Sequence, residues 1–319
     1  MRWEYRQGAW TSGELGCAEL PLVQAVEARG ALLEWCIDDP QGTRPRITVL
    51  DVEECDWLWE LIGEPAHVAF VETIVSADRT VGFEIAAEWD DDVVATLRKL
   101  GHGQWLRDWW PASVVDGMPE LRDDSIIAEM LDVAVDVEGI VDEADVVRGC
   151  ESLVRPGDAR DTARQGDYAL AAGAPSTCLA ESPIYSGTSS QAWQGVPAHV
   201  IDSTENPVQW HVDAAPVPLV DVHVLLAGQH SRCEGLAVHV LRGDTELAQG
   251  YLDRAGNASL PLTLTAAEAW VEEWDDVDVV VGVPVEESRE MRARVRAFAR
   301  RRMSLDDALS FAEEHVDHY

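Results

Sequence analysis

Between residues 198 and 285 apolar and polar residues alternate in six short runs, and this pattern constrains the fold more than any other feature of the chain. Successive side chains of a strand point to opposite faces, so alternation marks strands with one buried and one wetted face. Val208 to Val212, Leu219 to Leu226, Leu236 to Leu241, Glu246 to Leu252, Ala258 to Leu264 and Val277 to Val283 read as strands. Arg242-Gly243-Asp244 and Asp253-Arg254-Ala255-Gly256-Asn257 read as turns between them. Short strands closely punctuated by turns predict a small antiparallel β-sandwich.

Hairpins that carry a Gly-centred turn, as Arg242-Gly243-Asp244 does here, resemble transthyretin-like or carboxypeptidase-regulatory-like modules. The resemblance covers residues 198–285 only. It implies a transthyretin-like or Ig-like sandwich and no particular activity, because such folds host many functions.

The first half mixes periods. Leu22, Val23, Val26, Leu32 and Leu33 suit a helix interrupted near Gly30, and Arg46 to Val52 suits a strand. Trp57, Trp59, Leu61 and Ile62 suit a short helix closed by Gly63. His67 to Val75 and Thr80 to Ala87 are β-rich and flank Asp78-Arg79, which predicts a hairpin. Asp90-Asp91-Asp92 opens a helix that ends in Arg98-Lys99 and is expected to stop at Gly101. Trp105 and Trp109 share a helix face just before Trp110. Residues 125–150 begin with helical spacing, and Val133 to Val137 then alternates as a strand would.

The tail reads as a helical hairpin. Met291, Val295 and Phe298 form a stripe flanked by Arg292, Arg294, Arg296, Arg300, Arg301 and Arg302. Ser304, with Asp307 three residues on, starts a second helix. The expected fold class is α+β, in four parts: a mixed α/β domain over 1–150, a Gly/Ala/Ser/Pro-rich connection over 151–197, a β-sandwich over 198–285 and the helical hairpin over 286–319.

Charge decides which partners are excluded. Fifty-nine acidic residues face 24 basic ones in 319, a formal net charge of −35. A body this negative repels nucleic-acid backbone and anionic lipid, so neither direct nucleic-acid binding nor membrane association is expected. A protein with a basic surface is attracted instead. No long uncharged apolar run marks a membrane helix, and the N-terminal residues lack a signal peptide's apolar core. The expectation is therefore a cytoplasmic protein whose six cysteines stay reduced, most of them acting as small buried hydrophobes.

Catalytic motifs are missing. There is no G-x-S-x-G, no G-x-G-x-x-G and no phosphate-binding loop ending in G-K-[ST]. No predicted strand precedes Ser186-Gly187-Thr188-Ser189-Ser190, as a nucleophile elbow would need. Glu314-His315-x-x-His318 has two histidines but lacks the intervening glutamate of a zincin helix. His223 and His239 each sit between valines, and paired strands would bring their rings together near Cys233 or Glu234. They are the candidate metal ligands, although nothing in their spacing fixes a third ligand, and no cofactor is expected. Trp105, Trp109, Trp110, Arg292, Arg296 and Arg300 are the candidate protein-interaction residues. The expected function is that of a non-catalytic, acidic protein-binding, regulatory or accessory protein. The alternatives are a metal-dependent hydrolase and a nucleic-acid mimic that binds a basic protein.

Overall fold

Residues Gln7 and Gly8 both adopt positive φ, 50° and 91°, the conformation that a tight hairpin turn needs. They join β1 (Arg2–Arg6) to β2 (Ala9–Ser12). In the computed structural model these strands are central to a six-stranded antiparallel sheet. The structure describes residues 1–17, 20–40, 42–76, 82–142, 146, 183–214, 216–228, 232–243 and 245–304. The other strands are β3 (Val23–Ala28), β4 (Ala31–Cys36), β5 (Arg46–Val49) and β6 (Phe83–Glu84), in the order β3-β4-β5-β2-β1-β6.

The segment expected to be an interrupted helix is thus the β3–β4 hairpin. Gly30 is the reason. Its φ is +71°, and a Cβ there would lie 2.4 Å from the carbonyl oxygen of Asp51. The Gly30 carbonyl accepts from the amides of Leu50 and Asp51 at 2.8 and 2.9 Å, which ties the turn to the end of β5. Leu33 and Trp35 then alternate into the core.

The expected strand over 67–75 is also overturned. α1 (Leu58–Ile62) ends at Gly63, φ +85°, and α2 (Glu64–Ser76) starts at once with Pro65 in its first turn. Ala66 and Phe70, one turn apart, are the residues this helix buries. Its Val and Thr content imitates a strand, but the Gly-Glu-Pro start decides for helix. Of the second expected strand only β6 forms among the described residues, and the Asp78-Arg79 turn lies outside them.

α3 (Asp91–Trp109) is capped by Asp90, whose carboxylate accepts from the amides of Asp92 and Val93. It does not stop at Gly101. A Cβ at Gly101 would lie 3.2 Å from Val26 Cγ2 and 3.3 Å from the Ala25 carbonyl, so the glycine permits close helix–sheet contact. α4 (Asp123–Val135) covers the start of the 125–150 segment and runs on through Val133 to Val135, the first residues of the expected strand. Ile126, Met130 and Val133 form its buried stripe.

In the second half, the six expected strands are present and antiparallel. β7 (Tyr185–Ser189), β8 (Val208–Asp213), β9 (Leu219–Val224) and β12 (Asn257–Pro261) form a sheet in the order β12-β9-β8-β7. β11 (Thr245–Tyr251), β10 (Ala237–Arg242) and β13 (Val277–Val281) form a second sheet in the order β11-β10-β13. Val208, Val212, Val220 and Val222 from one sheet share a core cluster with Val238, Val240, Val279 and Val281 from the other. Strand β7 lies inside the expected connection and was missed because Tyr-Ser-Gly-Thr-Ser has no apolar alternation. Its Gly187 leaves room for the Trp210 ring, whose atoms would sit 2.6 Å from an added Cβ. α5 (Ala266–Val271) carries a full capping box between Thr265 and Glu268.

α6 (Arg289–Ser304) buries Met291, Val295, Phe298 and Ala299 in the same cluster as the six-stranded sheet and α3. The second helix of the expected tail hairpin, with His315 and His318, lies outside the described residues. The architecture is mixed, with several antiparallel sheets and helices. Among the described residues no helix is long and apolar enough to cross a membrane.

The cysteines depart from expectation. Cys17 and Cys36 are joined in a disulfide, with their Cα atoms 5.9 Å apart. Cys36 closes β4, and the loop after β2 returns beside it. Cys55 and Cys233 are free and buried, and burial pushes the Cys55 thiol up to about 12, with nearby Asp51 adding to the effect.

Candidate metal site on the outer face of the four-stranded sheet

Strict alternation along β8 and β9 sends valines and Trp210 inward and leaves Gln209, His211, Asp213, Asp221 and His223 on the outer face. The register converts this alternation into rows. Ser186, His211, Asp221 and Ser259 are successive cross-strand neighbours, as are Thr188, Gln209, His223 and Asn257.

One cluster stands out within these rows. His211 Nε2 lies 3.5 Å from an Asp221 carboxylate oxygen and 4.0 Å from one of Asp213. One donor atom from each of the three residues falls within 4.8 Å of the others. Two metal–ligand bonds of about 2.1 Å at a tetrahedral angle place their donors about 3.4 Å apart. The His211–Asp221 distance matches that span, and Asp213, 4.0 Å from His211, would have to move closer to join the set. The three side chains are 34–45% exposed, so a bound ion would keep coordination positions open to water.

The surroundings are polar and ordered. His223 Nδ1 lies 2.9 Å from Asn257 Oδ1. Asp253 accepts from the amides of Ala255 and Asn257 at 2.8 Å each, and these bonds, the Asn257 amide foremost, hold its carboxyl below the usual range. A groove of about 890 Å³ runs over this face, lined by Gln209, His211, Asp221, His223, Tyr251 and Asp253 among others. One imidazole with two carboxylates suits a divalent ion such as zinc or manganese.

The ligands expected from sequence are not brought together. His223 is on β9 and His239 on β10, and these strands belong to different sheets. His239 Nδ1 instead meets Glu246 at 2.7 Å, and Cys233 is buried with its thiol donating to the Asp253 carbonyl. His211 was missed as a ligand because its partner Asp221 is a neighbour only through hairpin register. The His211-x-Asp213 pair on one strand face was the readable half of the signal.

The expected interaction residues are mostly internal. Trp105 and Trp110 are buried, and their indole nitrogens donate to the carbonyls of Pro21 and Pro119. Arg292 pairs with Glu287 at 3.1 Å and Arg296 with Glu205. Arg300 meets Asp116 at 3.0 Å and stays half exposed, and Trp109 is half-buried. The Arg-rich helix therefore turns much of its charge onto the protein's own acids. Comparison of the chain with protein-family models, with curated proteins and with solved structures finds no significant match.

Proposed function

We propose that this protein is a metal-dependent hydrolase that holds a divalent ion on His211, Asp213 and Asp221. The observation that carries the reading is the convergence of these three side chains from two adjacent strands. An ion held by three protein ligands at a half-exposed site has room for a water, and the charge of the ion lowers the pKa of that water toward neutrality. His223 stands one row away, oriented by Asn257, and serves as the proton-transfer group. The serine and threonine hydroxyls of the outer face supply hydrogen bonds to a polar substrate.

Calorimetric titration of the chelator-treated protein with zinc and manganese tests the site. One equivalent is expected to bind, and His211→Ala or Asp221→Ala is expected to weaken binding by at least about tenfold. Wild-type protein that binds neither ion sinks the proposal. Metal-loaded protein that cleaves no ester, phosphoester or amide probe removes the hydrolase half of it.

A second reading rests on the charge of −35: an acidic regulatory or accessory protein that binds a partner with a basic surface, or one that mimics nucleic acid. Co-purification of a basic protein that is lost at high salt would favour it. In either reading we take residues 198–285 with β7 as a transthyretin-like or Ig-like β-sandwich, and residues 1–150 as a mixed α/β domain. The apolar stripe of α6 groups the start of the 286–319 segment with the first core cluster. A cytoplasmic location would require the Cys17–Cys36 bond to persist against cellular thiols. Alkylation and mass analysis of freshly lysed cells measures that directly.

A further inference from the structure

A second cavity, of about 280 Å³, opens where the end of α3 meets the segment 193–203. It is lined by Trp109, Trp110 and Trp193 together with Asp108 and His199. None of these residues belongs to the metal cluster.

We propose that this cavity binds a small free organic cation of the quaternary or methylated ammonium class. Three tryptophans and an aspartate lining one cavity are the residue types from which an aromatic cage is built. The negative face of each ring attracts a cation, indole most strongly, and the attraction grows when the cation is desolvated. The carboxylate adds a fixed charge. A metal ion is a poorer fit, because one carboxylate and one imidazole fall short of a ligand set. An anion is opposed by Asp108 and by the field of the whole chain. The volume lies just below the range typical of drug-sized ligands, which favours a compact head group over a nucleotide or a macromolecular segment.

Local geometry holds the cage in place. His199 adopts φ +58°, a left-handed conformation that is uncommon outside glycine. Its Nε2 donates to the Arg107 carbonyl at 2.5 Å, which pins the ring to the end of α3. Asp108 accepts from Gln104 at 2.8 Å. Burial drives the Asp108 carboxyl up, Asp123 pushes the same way, and Gln104, Arg107 and His199 pull it down, with burial prevailing. An ammonium ion in the cavity would replace the hydration that the carboxylate has lost.

Choline and its uncharged isostere 3,3-dimethylbutanol, titrated into the full chain by calorimetry and tryptophan fluorescence, test the assignment. Choline is expected to bind at least about tenfold more tightly than the isostere. Trp193→Ala and Asp108→Asn should each reduce choline affinity by about tenfold or more, and His211→Ala should leave it unchanged, which separates this site from the metal site. Trp109→Ala replaces Trp193→Ala if the latter fails to fold by circular dichroism. Equal affinity for the two probes, no choline binding up to about 10 mM, or retained affinity in folded cage variants would overturn the proposal. Tighter binding of a trimethyl-lysine peptide or of phosphatidylcholine vesicles than of choline would overturn the assignment to a free solute.

Discussion

Gly30 shows how one residue selects between two local folds. Apolar positions around it fit a helix and a hairpin about equally well. Its positive φ and the Asp51 carbonyl 2.4 Å from a virtual Cβ leave no room for any other side chain. Gly30→Ala is expected to destabilise the protein by about 2–3 kcal/mol, from left-handed strain and overpacking together, as read by urea denaturation. A loss under about 0.5 kcal/mol would mean that the turn relaxes freely. His211 teaches the complementary lesson. Its spacing to Asp213 is visible in sequence, but Asp221 becomes its neighbour only once β8 and β9 pair.

At the scale of elements, α6 shows two kinds of ion pair with different consequences. Glu287 and Arg292 are 1% and 4% exposed, and Glu287 also accepts from the amides of Trp193 and Gln194. Removing one partner leaves a buried charge uncompensated. Glu287→Ala is therefore expected to lower stability by about 3–5 kcal/mol. Arg294 and Asp38 form a bidentate pair on which Arg294 is 42% exposed, and Arg294→Gln should cost only about 0.5–1 kcal/mol. Denaturation of the two variants side by side checks the contrast, and equal losses would contradict it. The pair also has a pH signature. The Arg294 hydrogen bond holds the Asp38 carboxyl below its ordinary value of 3.8. Its stabilisation is fully present above that value and is lost as pH falls from there through the lower folded value. Relative to Asp38→Asn, the wild type should lose its advantage in that acid window and keep it at neutral pH, where melting temperatures recorded across the range would show it.

For the whole molecule, a net charge of −35 implies self-repulsion that salt screens. The melting temperature is expected to rise as sodium chloride increases from low to physiological strength. A fall would indicate that internal pairs such as Arg292–Glu287 and Arg296–Glu205 outweigh the repulsion. The Cys17–Cys36 bond closes a loop with a sequence separation of 19, so Cys36→Ser should cost about 3 kcal/mol in the chain-entropy account. Denaturation under oxidising and reducing conditions measures the same quantity.

The sequence by itself determined the strands of the second half, the acidic start of α3 and the apolar stripe of α6. In each, a period or a cap is written into adjacent residues, and the energy that selects the element is local. It also determined the acidity, and with it a field that repels nucleic-acid backbone. Only the tertiary structure decided the β3–β4 hairpin, the helix over 64–76, strand β7, the disulfide and the residue groupings behind both proposed sites. Those depend on which distant groups come to rest together: Asp51 on Gly30, Trp210 over Gly187, Asp221 beside His211, and Trp193 on the same cavity as Trp109. Short-range patterns carry the periods of about 2 residues for a strand and about 3.6 for a helix, but not the register that brings remote side chains within bonding distance.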